Sequence, residues 1–309
     1  MNKQNELEIA NKIYKILDAY RKNPYHEVFE SSAVINILKY FIENRLPIIM
    51  VIPAFHGKVE NPDYVLGPSI DMGEYISLKH MVSMCNEIKE IYEYGLEFNM
   101  VHEGHFILGQ TPLVNSAENL DIYLADFRNL LKKYDFIKSY SIYELLPEDS
   151  LESALKRFRS EYIPNEEELK TLLEKPAYMN LYQAYKKIHL NFCQCNVDFC
   201  ALGSAEQKKR TKESAKHQIQ AYFGFGKVVK EFFKDKTYLR LSTLYKDPSF
   251  VENIAINYLP HLHHFSTPTF NCLVKFKDGN YDFIKKYVAE QRNYQLAERN
   301  GLKYFKETI

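Results

Sequence analysis

The chain has 309 residues, 46% of them apolar, enough for a large core and too many for a disordered protein. Forty basic residues balance forty acidic ones, so no net field draws the whole molecule to nucleic acid or to an anionic membrane, and any anion site has to be local. Apolar runs stay far below the roughly 20 residues that a membrane helix needs, and the N-terminal stretch intersperses charges where a secretory signal has an unbroken apolar core.

In chain order, Ile9, Ile13, Ile16, Leu17 and Tyr20 recur at helical spacing and Asn23-Pro24 stops the pattern. A second helix is predicted from Ser31 to Asn44. Pro47 to Ile52 then reads as a strand buried on both faces, as parallel strands are. After Asp71 a long helix follows through Ile91, with Gly95 as its expected C-cap, and Phe98 to Val101 is a second strand. Strand, polar loop, helix, strand and a second polar turn at Glu103-Gly104-His105 make a βαβ arrangement, which brings successive strand ends to the sheet edge where ligands bind.

From about Ser116 to Phe233 helical periodicity dominates, and Lys208, Lys209, Arg210 and Lys212 form a basic patch read as a solvated helix face. Strand signals return at Thr237 to Ser242, Ile254 to Tyr258, Asn271 to Phe276 and Tyr281 to Ile284, with a hairpin turn at Lys277 to Asn280. The expected fold is α/β: a Rossmann-like mixed sheet flanked by helices. One domain over 1–309 is expected, with a helical insertion at about 143–235. The five cysteines lack zinc-finger spacing and read as reduced cytosolic thiols; no metal is expected.

The segment from Pro53 to Glu74 concentrates prolines, glycines, Lys58 and several carboxylates between a buried strand and a helix, which marks a shaped and functional loop. Lys58 can neutralise an anion, and Asp71 with Glu74 three residues on fits a capping box, a role that can coexist with substrate contact. Dinucleotide, P-loop, hydrolase-elbow and zincin motifs are missing.

The run Pro53-Ala54-Phe55 through Lys58, then Asn61-Pro62, Val65-Leu66-Gly67, Asp71 and Glu74, resembles the isocyanide synthase family, whose pattern here is roughly F-P-x-K-S-x-N-P-x-K-V-L-G-x-x-P-D-x-x-E. Glu103-Gly104-His105-Phe106 falls at the family's S-D-G-x-x-F turn, with Phe106 one position early. Leu239-Arg240-Leu241-Ser242 is similar to its R-L-S strand, and Thr267-Pro268 and the segment from Gly301 to Glu307 to its closing patterns.

The N-terminal pattern and the reduced thiols lead to the expectation of a cytoplasmic protein, and the resemblance implies an enzyme without cofactor. It joins the α-amine of tyrosine or tryptophan to the ketone of ribulose 5-phosphate and leaves one sugar carbon on nitrogen as an isocyanide, the product passing to an iron/2-oxoglutarate oxygenase of the same pathway. It further implies Glu103, His105 and Asp71 as proton carriers, and Lys58, Asn61, Arg240, Ser242 and Thr267 as groups that hold substrate or phosphate. Thr243-Leu244-Tyr245 replaces the family's I-H-P, and Thr267-Pro268-Thr269-Phe270 replaces its T-P-W-H. His263 or His264 can supply a displaced imidazole, or else belongs to a polar loop. These departures leave two further expectations open: a changed substrate or N-formyl product, and a binding protein without catalysis.

Overall fold

The computed structural model describes residues 3–21, 31–102, 104–107, 116–193, 197–243, 253–260 and 267–308. Helices α1 (Lys3–Ala19) and α2 (Ser31–Glu43) precede strand β1 (Ile48–Pro53), followed by α3 (Met72–Ile91), β2 (Leu96–Val101), α4 (Gly104–Ile107), α5 (Ala117–Leu131) and β3 (Ile137–Tyr140). Next come α6 (Ile142–Leu145), α7 (Leu151–Glu161), α8 (Glu166–Leu173), α9 (Pro176–Cys193), α10 (Val197–Cys200) and α11 (Ser204–Phe232). The chain closes with β4 (Leu239–Ser242), β5 (Asn253–Ala255), β6 (Cys272–Lys275), β7 (Tyr281–Ile284), α12 (Lys286–Gln291), β8 (Gln295–Arg299) and β9 (Leu302–Lys306).

Strands β1 to β5 form a wholly parallel sheet in the order β3-β2-β1-β4-β5. This order reverses direction between β1 and β4, which places the topological switch point of a Rossmann-like sheet at the carboxyl ends of those two strands. Side chains alternate across the sheet with period two. Ile48, Met50 and Ile52 of β1 join the core shared with α1, α2, α3 and α5, whereas Val51 joins the core built by α6, α7, α9 and α11. The helix-rich middle therefore supplies the layer on the sheet's second face.

The antiparallel pairing expected near the C-terminus is present, but in a separate four-stranded sheet ordered β7-β6-β9-β8. Its hairpin β8–β9 turns at Asn300-Gly301, both with positive φ (53° and 76°), the backbone that a two-residue hairpin loop requires. Gly95 does not cap α3. That helix ends at Tyr92, already extended, and Gly95 (φ 69°) closes the following turn by donating its N–H to the Tyr92 carbonyl. Among the described residues no helix is long and apolar enough to cross a membrane.

Candidate active site

The loop that leaves β1 turns back sharply. Phe55 takes a left-handed backbone (φ 58°), uncommon and costly for an aromatic residue, and Gly57 follows at φ 112°. Two things hold Phe55 there: its ring packs against Phe127 and Tyr258, and its carbonyl accepts a hydrogen bond from buried His102 Nδ1 at 3.1 Å. The carbonyl can only accept, so Nδ1 carries the hydrogen, and His102 Nε2 then accepts from the Ser139 hydroxyl at 2.7 Å. Burial drives the His102 pKa down to about 4, against the opposing pull of the Phe55 bond, so the ring is neutral near pH 7.

Beyond the turn Lys58 points inward and is 1% exposed. Its ammonium lies 2.9 Å from Asp71 Oδ2, 2.9 Å from Glu74 Oε1 and 2.9 Å from the Pro268 carbonyl, three acceptors for three N–H groups. Each carboxylate has a second task at the start of α3. Asp71 Oδ1 accepts from Gly73 N at 2.6 Å, and Glu74 Oε2 accepts from Asp71 N at 3.0 Å, which closes the capping box. Tyr123 of α5 donates its hydroxyl to Glu74 Oε1 at 3.4 Å.

Burial opposes charge on the Lys58 amine, yet Asp71 and Glu74 outweigh it and hold the pKa above the usual lysine range. One cation between two carboxylates leaves a net negative charge in a dry site. Burial foremost, with Asp71 adding to it and Lys58 opposing, raises the Glu74 pKa to about 7. Glu74 is thus the carboxyl that can hold or release a proton near neutrality.

The segment from Thr267 to Asn271 forms the opposite wall. Thr269 O accepts from Val59 N at 3.1 Å, and Asn271 Nδ2 donates to Thr267 O at 2.9 Å, bracing the 3-10 turn Pro268–Phe270. A Cβ on Gly73 would stand 2.8 Å from Asp71 Oδ1 and 3.0 Å from Phe283 Cε1, so the absent side chain makes room for the capping carboxylate and for the second sheet against α3. Asn61 Oδ1 accepts from Asp63 N and shapes the loop, while its buried Nδ2 and the buried Thr267 and Thr269 hydroxyls have no hydrogen-bond partner among the described residues.

Of the residues predicted from sequence, Lys58, Asp71 and the Thr267-Pro268 segment come together directly, and Asn61 stands on the same loop. Arg240 and Ser242 lie on β4 at the switch point and share the sheet face of Val51, through the register Val51↔Arg240. The next residue, Thr243, donates its hydroxyl to Pro53 O at 3.4 Å and pins the two strand ends together. His105 is buried 3.1 Å from Asp121 Oδ1. Asp121 and Tyr123 are two apart on α5, so His105 and Glu74 meet that helix on different sides. Gly104 touches the first loop, since a Cβ there would lie 2.2 Å from the His56 carbonyl. Glu103, His263 and His264 lie outside the described residues.

The model of the pyoverdine/dityrosine biosynthesis protein family matches residues 38–297, the span that holds the switch point and the Lys58 group. The chain belongs to that family. Among curated members, the L-tryptophan isonitrile synthase AmbI2 of Fischerella ambigua is 25% identical over 85% of this chain and 78% of its own length. An L-tyrosine isonitrile synthase of Pseudomonas aeruginosa is 24% identical over 84% and 79%. The crystal structure of PvcA from Pseudomonas aeruginosa superposes with a TM-score of 0.82, covering 97% of this chain and 99% of that one at 22% identity, which fixes the fold.

From the sequence Glu74 reads as a capping residue and a landmark of the family pattern, while His102 and Tyr123 carry no assigned role. His102 immediately follows β2, and a polar residue at a strand's carboxyl end is the signal that could have found it. Tyr123 sits in an ordinary amphipathic helix, and only the packing of α5 against α3 discloses it.

Proposed function

We propose that this pyoverdine/dityrosine family member is an enzyme of the isonitrile (isocyanide) synthase type, one cytoplasmic domain over 1–309 that condenses the α-amine of an amino acid with ribulose 5-phosphate. Tyrosine and tryptophan are the candidate amino acids, since the curated relatives are named for them. The observation that carries the reading is the match of one family model over residues 38–297, which takes in the carboxyl ends of β1 and β4 and the Lys58 cluster.

The chemistry asks for an anion site and for groups that move protons around an imine and its enol. Glu74, poised near neutrality, suits the proton transfer, with Lys58 and Asp71 setting its position and charge. Arg240, buried on β4, suits the sugar phosphate or the amino-acid carboxylate, with Ser242, Thr267 and Asn61 as hydrogen-bonding neighbours. Glu103 and His105 remain candidate proton carriers on the next strand end, and His263 or His264 a displaced imidazole. An isonitrile product is a substrate for a downstream iron/2-oxoglutarate oxygenase.

The test is incubation of the purified protein with ribulose 5-phosphate and each amino acid, read by mass spectrometry. A product that gains one carbon and loses two hydrogens supports the reading, and no product from any amino acid refutes it. A second reading, an N-formyl product heavier by one water, is favoured by Thr269 and Phe270, which bring no proton-transferring group to the positions of the family's Trp-His pair. The same spectra separate the two.

A further inference from the structure

A cavity of about 330 Å³ opens on the far side of α3, in the seam between that helix, the end of α5 and the second sheet. Lys79, Lys133, Lys275 and Arg299 line it, and no carboxylate does. Forty acids balance forty bases over the whole chain, so a lining of four cations and no anion is a local concentration. Among the described residues none of the four takes part in an ion pair.

Tyr75 gathers two of them. The Lys79 ammonium lies 5.6 Å and the Lys133 ammonium 5.1 Å from its ring centroid. One aromatic ring thus holds two like charges, with no carboxylate in the cavity lining to offset their repulsion. Lys275 and Arg299 face them from the second sheet, and Tyr281 and Tyr304 add two more partly buried rings to the lining. Cations on opposite walls, a roof of phenol rings and apolar side chains between them make a complementary surface for a multiply charged anion carried on a planar or sugar-like body.

We propose that this seam is a second ligand site, separate from the Lys58 cluster, that takes a phosphate ester or diphosphate of about nucleotide size. The volume admits a body larger than inorganic phosphate, and the four cations match two or more negative charges. Tyr75 precedes no active-site residue but follows Glu74 directly, so one turn of α3 carries a wall of each site.

Titration calorimetry with inorganic pyrophosphate and with ADP as separate probes tests the assignment. Lys79 and Lys133 are exposed, so the double variant Lys79→Glu/Lys133→Glu keeps the fold, which its melting temperature checks. Binding by the wild type, weaker by at least about tenfold in that variant and weaker as salt is raised, supports the site. The control is Lys208→Glu/Lys209→Glu, the same charge change on exposed residues of α11. No binding of either probe, equal loss in the control, or loss only on substituting Arg240 would each overturn it. None of these outcomes depends on isonitrile formation.

Discussion

Replacing Lys58 by methionine keeps the length of the side chain and removes its charge. Asp71 and Glu74, both buried, would then face each other without a cation, and the Pro268 carbonyl would lose its donor. At an effective dielectric constant of about 20 each close ion pair is worth about 4 kcal/mol before desolvation, and breaking a buried pair by removing one partner costs about 3–5 kcal/mol net. Against a total stability of about 5–15 kcal/mol this is a large share. The chain has no tryptophan, so urea unfolding is followed by far-UV circular dichroism.

The pH dependence carries the sharper expectation. Folding already raises the Glu74 pKa from 4.5 to about 7 in the wild type, and loss of Lys58 raises it further. Between the unfolded and folded values the native state binds more protons, so stability falls as pH rises through that window. The Lys58→Met deficit should therefore shrink as pH is lowered from about 7.5 toward 5, and adding Glu74→Gln should recover part of it at neutral pH, a coupling of about 0.5–3 kcal/mol. A deficit under about 1 kcal/mol, or one equal at both pH values, would refute the triad as the tie between loop and helix.

The neighbouring groups give further tests. Glu74→Gln should remove an inflection near pH 7 from the rate profile, measured as product formation against pH, while the capping bond of Asp71 to Gly73 persists. His102→Phe leaves the Phe55 carbonyl without its donor and should cost about 1–3 kcal/mol in urea. In the wild type, nitrogen NMR should show a neutral His102 ring protonated at Nδ1 down to about pH 5, and stability should fall on acidification from 6.5 toward 4, because the unfolded ring takes up its proton first. Gly104→Ala places a methyl 2.2 Å from the His56 carbonyl, so the contact between the loops after β1 and β2 must open, with activity lost and a lower melting temperature.

What was legible in the sequence depended on how self-contained each signal was. β1, β2 and α3 announce themselves through unbroken apolar runs and a helix start, and their order alone places the loop at the sheet edge. β3 is four residues with one buried side chain at the edge of the sheet, too short for a periodic signal to stand out from the helical surroundings. The β8–β9 hairpin had a signal in Asn300-Gly301, but most of the residues of β8 are exposed, so no apolar alternation drew attention to it. Within the site, Lys58 was legible as a cation and its partners were not. The Pro268 carbonyl lies 210 residues away, and a lysine beside carboxylates reads equally as a solvated group or as an anion hook.

The capping bond of Asp71, which the sequence allows to coexist with a second role, and its ion pair with Lys58 use different oxygens. Asp71 gives Oδ1 to the helix and Oδ2 to Lys58, while Glu74 gives Oε2 to the helix and Oε1 to Lys58. The capping box thus does more than start α3: it sets the ammonium relative to the helix axis through two buried side chains, each held at both oxygens. The positive end of the helix favours negative charge on both carboxylates, and burial favours protonation of one. Charge and proton are therefore balanced on Glu74, whose protonation weakens its hold on Lys58 through Oε1 and leaves the backbone bond through Oε2 in place. A proton can enter or leave the cluster without unwinding the helix that positions it, which is what a proton carrier in a shaped loop requires.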